Sequence, residues 1–133
     1  HPKIAILGLN PHASDGGLFG DEEAKTINPA IKLMQKRLAD CAIVGPFAPD
    51  GFFANWKNQH SKHFDGIVCM YHDQGLIPVK LLDFERTVNI SLGLPIIRTS
   101  VDHGTGKDIA GKNIADPSSF CAALIAARKL TKK

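Results

Sequence analysis

Ile67-Val68-Cys69-Met70-Tyr71-His72-Asp73-Gln74-Gly75 is a short apolar run that stops abruptly at a histidine and an aspartate, with a glycine straight after. Its length and the turn chemistry at its end read as a buried strand, expected over Gly66 to Tyr71. In a parallel α/β sheet the carboxyl end of such a strand opens into the ligand crevice, where a His-Asp pair meets a substrate or a metal. The same arrangement occurs earlier, where Ile4-Ala5-Ile6-Leu7-Gly8-Leu9 runs into Asn10-Pro11-His12. Two strands each deliver one histidine to a loop.

Working outward, further strand-like runs lie at Cys41 to Val44, Thr87 to Leu92 and Pro95 to Thr99, and the first strand covers Lys3 to Leu9. Asn28-Pro29 resembles a helix cap with proline at the first helical position. The segment Ala30 to Ala39 carries Ile31, Met34 and Leu38 at amphipathic helical spacing. A second capped helix is expected from Asp116-Pro117-Ser118-Ser119 to about Leu130, and a short one over Gln74 to Leu82, against which Pro78 argues. Pro46-Phe47-Ala48-Pro49-Asp50-Gly51 reads as a turn-rich connection. Strands alternating with helices imply an α/β fold, with a mainly parallel sheet layered with helices on both faces. Asn89 to Pro95 interrupts that alternation and suits a hairpin or a turn between edge strands.

The chain has 133 residues, enough for one α/β domain or part of one, and is 44% apolar and 22% charged. A net charge of +3 with scattered cations argues against nucleic-acid binding, and the Lys129-to-Lys133 end reads as a solvated terminus. No apolar run approaches the ~20 residues of a membrane span, and none reads as a signal peptide. Cys41, Cys69 and Cys121 are odd in number and far apart. They argue against a disulfide framework or zinc ribbon and suit a reducing cytoplasm. The start at His1-Pro2-Lys3, with no initiator methionine, suggests a piece of something longer.

Several residues could carry chemistry. His12 sits in the glycine-rich loop Gly8 to Gly17, which lacks both G-x-G-x-x-G and P-loop spacing, so an exposed turn histidine is as good a reading as a ligand. His72 is stronger because Asp73 adjoins it, imidazole being the commonest metal ligand and carboxylates its usual partners. Spacing alone does not establish a site shared by two histidines sixty positions apart. His60 and His63 read as surface residues. Lys80, Asn89 and Arg98 interrupt otherwise apolar segments, and buried polar groups there need partners. An anionic substrate would supply those partners, and so would an internal salt bridge or an exposed edge. Asp102-His103-Gly104-Thr105-Gly106 suits either a nucleotide contact or a plain loop.

Taken together, these motifs resemble the C-terminal portion of the 4-hydroxythreonine-4-phosphate dehydrogenase family. The matching stretches are Gly8 to Ala13, Tyr71 to Leu76, Val88 to Pro95 and Ile97 to Thr105, in the family's order and over nearly the whole chain. The resemblance implies an isocitrate/isopropylmalate dehydrogenase-like fold, here part of a larger two-domain, homodimeric, cytoplasmic enzyme. It also implies NAD(P)-dependent oxidation of a phosphorylated hydroxy amino acid to a 3-oxo acid, whose decarboxylation leaves 3-amino-2-oxopropyl phosphate, a step toward pyridoxal phosphate. By position, His12 and His72 match two of three histidines that bind a divalent metal (zinc, magnesium, manganese or cobalt). Lys80, Asn89 and Arg98 match substrate-binding residues, Lys80 also as a catalytic charge stabiliser or proton carrier. His103, Gly104, Thr105 and Asp108 fall in a loop like the adenosine-binding loop of the isocitrate-type enzymes.

The third metal histidine and a substrate-contacting His-Thr pair belong to a region absent here. The expectation is therefore weak metal binding and no activity from this segment alone. Gly106 stands where the family usually has alanine, and Asp50 to Phe64 differs in length from the family. Three alternatives remain: a paralogous dehydrogenase of a phosphorylated four-carbon sugar acid, a metal-dependent hydrolase using His12, His72 and Asp73, and a stand-alone binding module.

Overall fold

A computed structural model describes residues 1–55 and 63–131, so His60, the stretch around it and Lys132-Lys133 lie outside the described residues. The chain forms two compact units, His1–Leu76 and Ile77–Lys133.

In the first unit β1 (Lys3–Leu7) is the central strand of a three-stranded parallel sheet, flanked by β2 (Ala42–Phe47) and β3 (Gly66–Val68). Alternation along β1 sends its side chains to two separate cores. Ile6 packs with Ile27, Ile31 and Ile43 on one face. Ala5 and Leu7, both fully buried, pack with Phe52 on the other, backed by Phe47, Phe53 and Phe64. A central strand covered on both faces is what its continuous apolar run requires. The register of β1 against β2 shifts between Ala5 and Leu7. Gly45 lies opposite, with φ 146° and the Ile6 carbonyl only 2.3 Å from where a Cβ would stand, so no other residue fits there.

The helical face is built differently from its sequence signature. Helix α1 runs Asn28–Arg37, but the chain is already helical in a π-turn over Glu23–Ile27. Asn28 is therefore helical (φ −60°, ψ −45°) and caps nothing, its N–H bonding back five residues to the Glu23 carbonyl. Pro29 has no N–H to give, and the wider π-turn is how the helix passes it. Leu38 falls just past α1 and is half exposed. A further helix, α2 (Pro49–Ala54), replaces the expected turn, because coiling there buries Phe52 in the aromatic core.

Helix α3 (His72–Asp83) begins in the first unit, ends in the second, and carries Pro78 inside it. In the second unit β4 (Val88–Ser91) and β5 (Arg98–Val101) form an antiparallel pair, so the expected hairpin stands. The second strand, however, lies three residues later than the apolar run Pro95-Ile96-Ile97. Register explains the shift: Val88 pairs with Val101 and Ile90 with Thr99 on one face. Helix α4 (Ser118–Thr131) packs on this pair, and the Thr99 hydroxyl donates to the Ala123 carbonyl at 2.9 Å. The expected Asp116 cap is present, accepting from the Ser118 N–H at 2.8 Å. The Ser118 hydroxyl first, and then this N–H, hold the Asp116 carboxyl below its ordinary aspartate value. No described helix is long and apolar enough to cross a membrane.

Candidate functional site

Parallel pairing decides where the two histidines go. Since β1 and β3 are neighbours running the same way, with Ile6 opposite Val68, their exits lie at one edge of the sheet. His12 follows the first exit and His72 the second.

His12 is exposed and sits in a left-handed turn. Every residue from His12 to Gly17 has positive φ, including Ala13 (51°), Ser14 (75°) and Asp15 (42°). Left-handed backbone costs a residue with a Cβ roughly 1–2 kcal/mol, so such a turn persists only where its surroundings fix it. Buried Glu23, 3% exposed, takes the Leu9 and Asn10 N–H groups on Oε1 and the Asn10 side-chain amide on Oε2, each at 2.8 Å. Burial alone would raise the Glu23 carboxyl, but the hydrogen bonds from Asn10 and Leu9 outweigh it and hold it below the ordinary glutamate value. Buried Ser14 donates its hydroxyl to the Gly20 carbonyl. Gly8 is enclosed, since a Cβ there would stand 3.0 Å from Ala13 and 3.1 Å from Glu23 Oε1.

His72 is the first residue of α3, not the end of β3, which stops at Val68. Its Nδ1 lies 2.7 Å from Asp73 Oδ1. That bond fixes the ring and leaves Nε2 free, the arrangement typical of a metal-bound imidazole with a carboxylate behind it. Gln74, 6% exposed, donates from Nε2 to the Gly8 carbonyl and accepts the Met70 N–H on Oε1, both at 2.8 Å. It therefore ties one strand exit to the other. Cys69 is half-buried and burial pushes its thiol up, which makes it a packing residue rather than a thiolate ligand.

Two exposed imidazoles at one sheet edge, one of them backed by a carboxylate, are the donor chemistry a divalent metal needs. They fit part of such a site, because no cluster of three or more His, Cys, Asp or Glu side chains occurs among the described residues.

In the second unit Lys80, in the last turn of α3, has an internal partner. Its ammonium donates to the Asp102 carbonyl at 3.0 Å and stands 3.4 Å from Asp102 Oδ2. That oxygen is buried and accepts no hydrogen bond. Asn89 and Arg98 are exposed rather than buried. Cross-strand pairing of Asn89 with Ser100 and Ser91 with Arg98 puts both on the same polar face of the ribbon, away from the Val88–Val101 pairs. Arg98 donates one bond, to Ser91 Oγ at 2.9 Å, and keeps most of its fork available.

A cavity of about 670 Å³ opens beside the loop after β5. His103, Gly104, Thr105 and Gly106 line it, as do Phe84 and Glu85 after α3 and Asp116 before α4. Asp108, in a 3-10 turn over Lys107–Ile109, is not part of the lining. Gln74 and Asp102 lie inside motifs that stand out in the sequence but have no role legible there, and Glu23 and Glu85 lie in none of them. Glu23 lies in an acidic run, Asp21-Glu22-Glu23, that reads as solvated surface.

Residues 1–127 match the family model described as pyridoxal phosphate biosynthetic protein PdxA. A 4-hydroxythreonine-4-phosphate dehydrogenase of Desulfosudis oleivorans is 58% identical over 123 residues, which are 92% of this chain and 35% of that protein. The crystal structure of 4-hydroxythreonine-4-phosphate dehydrogenase from Klebsiella pneumoniae superposes with a TM-score of 0.79 at 44% identity, covering 99% of this chain and 38% of that one. A terephthalate 1,2-cis-dihydrodiol dehydrogenase from Burkholderia xenovorans is also similar, with a TM-score of 0.64 at 36% identity over 96% of this chain and 38% of that one. The chain thus spans little more than a third of the length of these relatives.

Proposed function

The chain belongs to the PdxA family of pyridoxal phosphate biosynthetic proteins, and on that premise we propose that it forms part of an NAD(P)-dependent 4-hydroxythreonine-4-phosphate dehydrogenase. The complete enzyme oxidises the hydroxyl of 4-phosphooxy-L-threonine, hydride passing to the nicotinamide and the proton to solvent. The resulting 3-oxo acid loses carbon dioxide to give 3-amino-2-oxopropyl phosphate.

The observation that carries this reading is the cavity lined by His103-Gly104-Thr105. A hydrolase built on His12, His72 and Asp73 would have no use for a nucleotide-sized recess on a small-residue loop. Glu85 and Asp116 are among the residues that line it, and an acidic lining disfavours a 2′-phosphate and so favours NAD over NADP.

His12 and His72 hold a divalent cation (zinc, magnesium, manganese or cobalt) together with ligands from outside this segment. Such a cation supplies Lewis-acid polarisation of the hydroxyl being oxidised. Asp73 orients the His72 ring through Nδ1. Arg98 and Asn89 take the anionic ends of the substrate, Arg98 through its free N–H fork. Lys80, anchored on Asp102, presents its remaining N–H donors as a charge stabiliser or proton carrier. Exposed apolar side chains in the second unit, among them Leu81, Leu92, Phe120 and Ile125, favour cover by further polypeptide or a second subunit in a homodimer. Three free cysteines suit the cytoplasm.

A second reading is a paralogue acting on another hydroxylated substrate, such as a phosphorylated four-carbon sugar acid. The dihydrodiol dehydrogenase neighbour favours it, since that similar fold carries a different substrate name. The test is NADH formation by the complete enzyme with each substrate and a divalent metal. Reduction with 4-phosphooxy-L-threonine alone supports the first reading, and reduction with the sugar acid phosphate alone the second. Reduction with neither removes the oxidoreductase assignment.

A further inference from the structure

Among the described residues, Glu23 and Gln74 are the buried polar side chains whose hydrogen bonds go to the strand exits of the first unit. Resting on the reading of His12 and His72 as metal ligands, we infer that Glu23 and Gln74 are positioning residues, a buried polar clamp that sets the placement of the two histidines before metal arrives.

Three links build the clamp. Glu23 fastens the Leu9-Asn10 backbone with two N–H bonds on one oxygen, and grips the Asn10 amide with the other. This is the peptide immediately before the left-handed turn that carries His12. Gln74 then bridges Gly8 to Met70, 66 residues apart in sequence from Gly8 to Gln74 itself. Met70 is two residues before His72, and Gln74 is two after it. The two exits are therefore joined to each other by one amide and to α1's π-turn by one carboxylate.

Chemistry explains the choice of groups. The exits present free N–H donors at Leu9, Asn10 and Met70 and a free acceptor at Gly8. A carboxylate matches a cluster of donors, and an amide matches one donor and one acceptor. A buried unsatisfied group in either place would cost roughly 1–3 kcal/mol, and both sets are fully used. Ladder pairing of β1 with β3 ends at Ile6 and Val68, so beyond that point Gln74 supplies the polar link between the exits, beside the apolar packing of Cys69 and Met70. The left-handed turn adds a reason for rigidity, because its backbone would relax without Glu23 and Ser14. Neither side chain points a free donor atom outward, so the clamp acts on the ligands and not on the metal.

The experiment is a cobalt(II) titration of the complete enzyme, read by affinity and by the visible ligand-field spectrum, on wild type, Glu23→Gln, Gln74→Met, His12→Ala and His72→Ala. Loss of metal at the histidine variants, with affinity lowered about 10–100-fold and an altered spectrum in Glu23→Gln and Gln74→Met, is the expected result. Wild-type affinity and spectrum in both clamp variants, beside loss in the histidine variants, overturns the clamp and leaves the metal reading standing. Wild-type binding in His12→Ala and His72→Ala removes the metal reading and the clamp with it. Should Glu23→Gln fail to fold, Asn10→Ala removes only the amide bonds to Glu22 and Glu23 and is judged by the same criterion, unchanged binding counting against the clamp.

Discussion

The sheet edge of the first unit and the polar face of the β4–β5 ribbon are furnished in opposite ways. At the sheet edge the two candidate histidines are exposed but the backbone behind them is locked by buried Glu23, Gln74 and Ser14. On the ribbon, Asn89 and Arg98 are exposed, Arg98 bonded to Ser91 Oγ, while Lys80, on α3, is held by Asp102. A metal demands ligands held to within tenths of an ångström, whereas a flexible phosphate tolerates an arginine that closes on it. The two regions differ as those two ligands would require.

If that contrast is right, His72→Ala gives the largest effect. Turnover of the complete enzyme should fall at least about 100-fold, the scale of losing several kcal/mol of transition-state stabilisation. The fold should stay intact by circular dichroism, since the side chain is 78% exposed. Next, Arg98→Ala should raise KM about 10–100-fold, as loss of a charged hydrogen bond worth roughly 1.5–3 kcal/mol would, while stability moves by less than about 0.5 kcal/mol. Equal destabilisation of both variants would erase the distinction between a locked and an open region.

Lys80→Met probes the candidate residue of the second unit that is tied to a carboxylate. Removing the ammonium leaves the buried Asp102 carboxylate without its cation, and the expected cost is about 1–3 kcal/mol, reduced by the partial exposure of the pair. Thermal denaturation of Lys80→Met beside Asn89→Ala reads it, Asn89→Ala being near neutral.

The smallest effect concerns acid. Because the folded Glu23 carboxyl lies below its ordinary value, its contribution is fully present above the unfolded value near ~4.3. It is lost as pH falls through the lower folded value. Hydrogen-exchange protection of the Leu9 and Asn10 amides should therefore drop across that acid window in wild type. In Glu23→Gln it should be low throughout.

Much of this was legible in the residues. Apolar runs located β1 and β3, and Asp116-Pro117 announced α4. Other features depend on tertiary contacts that no local pattern contains. Asn28-Pro29 has the composition of a cap, yet only the π-turn beside Ile27 and Ile31 decides that the helix began earlier. Pro49-Asp50-Gly51 has turn chemistry, and the burial of Phe52 overrides it. Pro95-Ile96-Ile97 is the more apolar run, but pairing with Val88 and Ile90 sets β5 later. Among site residues, histidines, lysine and arginine stand out by type. Glu23 and Gln74 do not, because a carboxylate and an amide become structural only when a donor set closes round them.

We propose that His12 and His72, which follow the exits of β1 and β3, share one metal. Anomalous diffraction from crystals of the complete enzyme grown with zinc tests it most directly. The expected result is one peak with imidazole nitrogens of both histidines about 2.0–2.1 Å away. A zinc ion bound elsewhere, or reached by only one of the two rings, would contradict it.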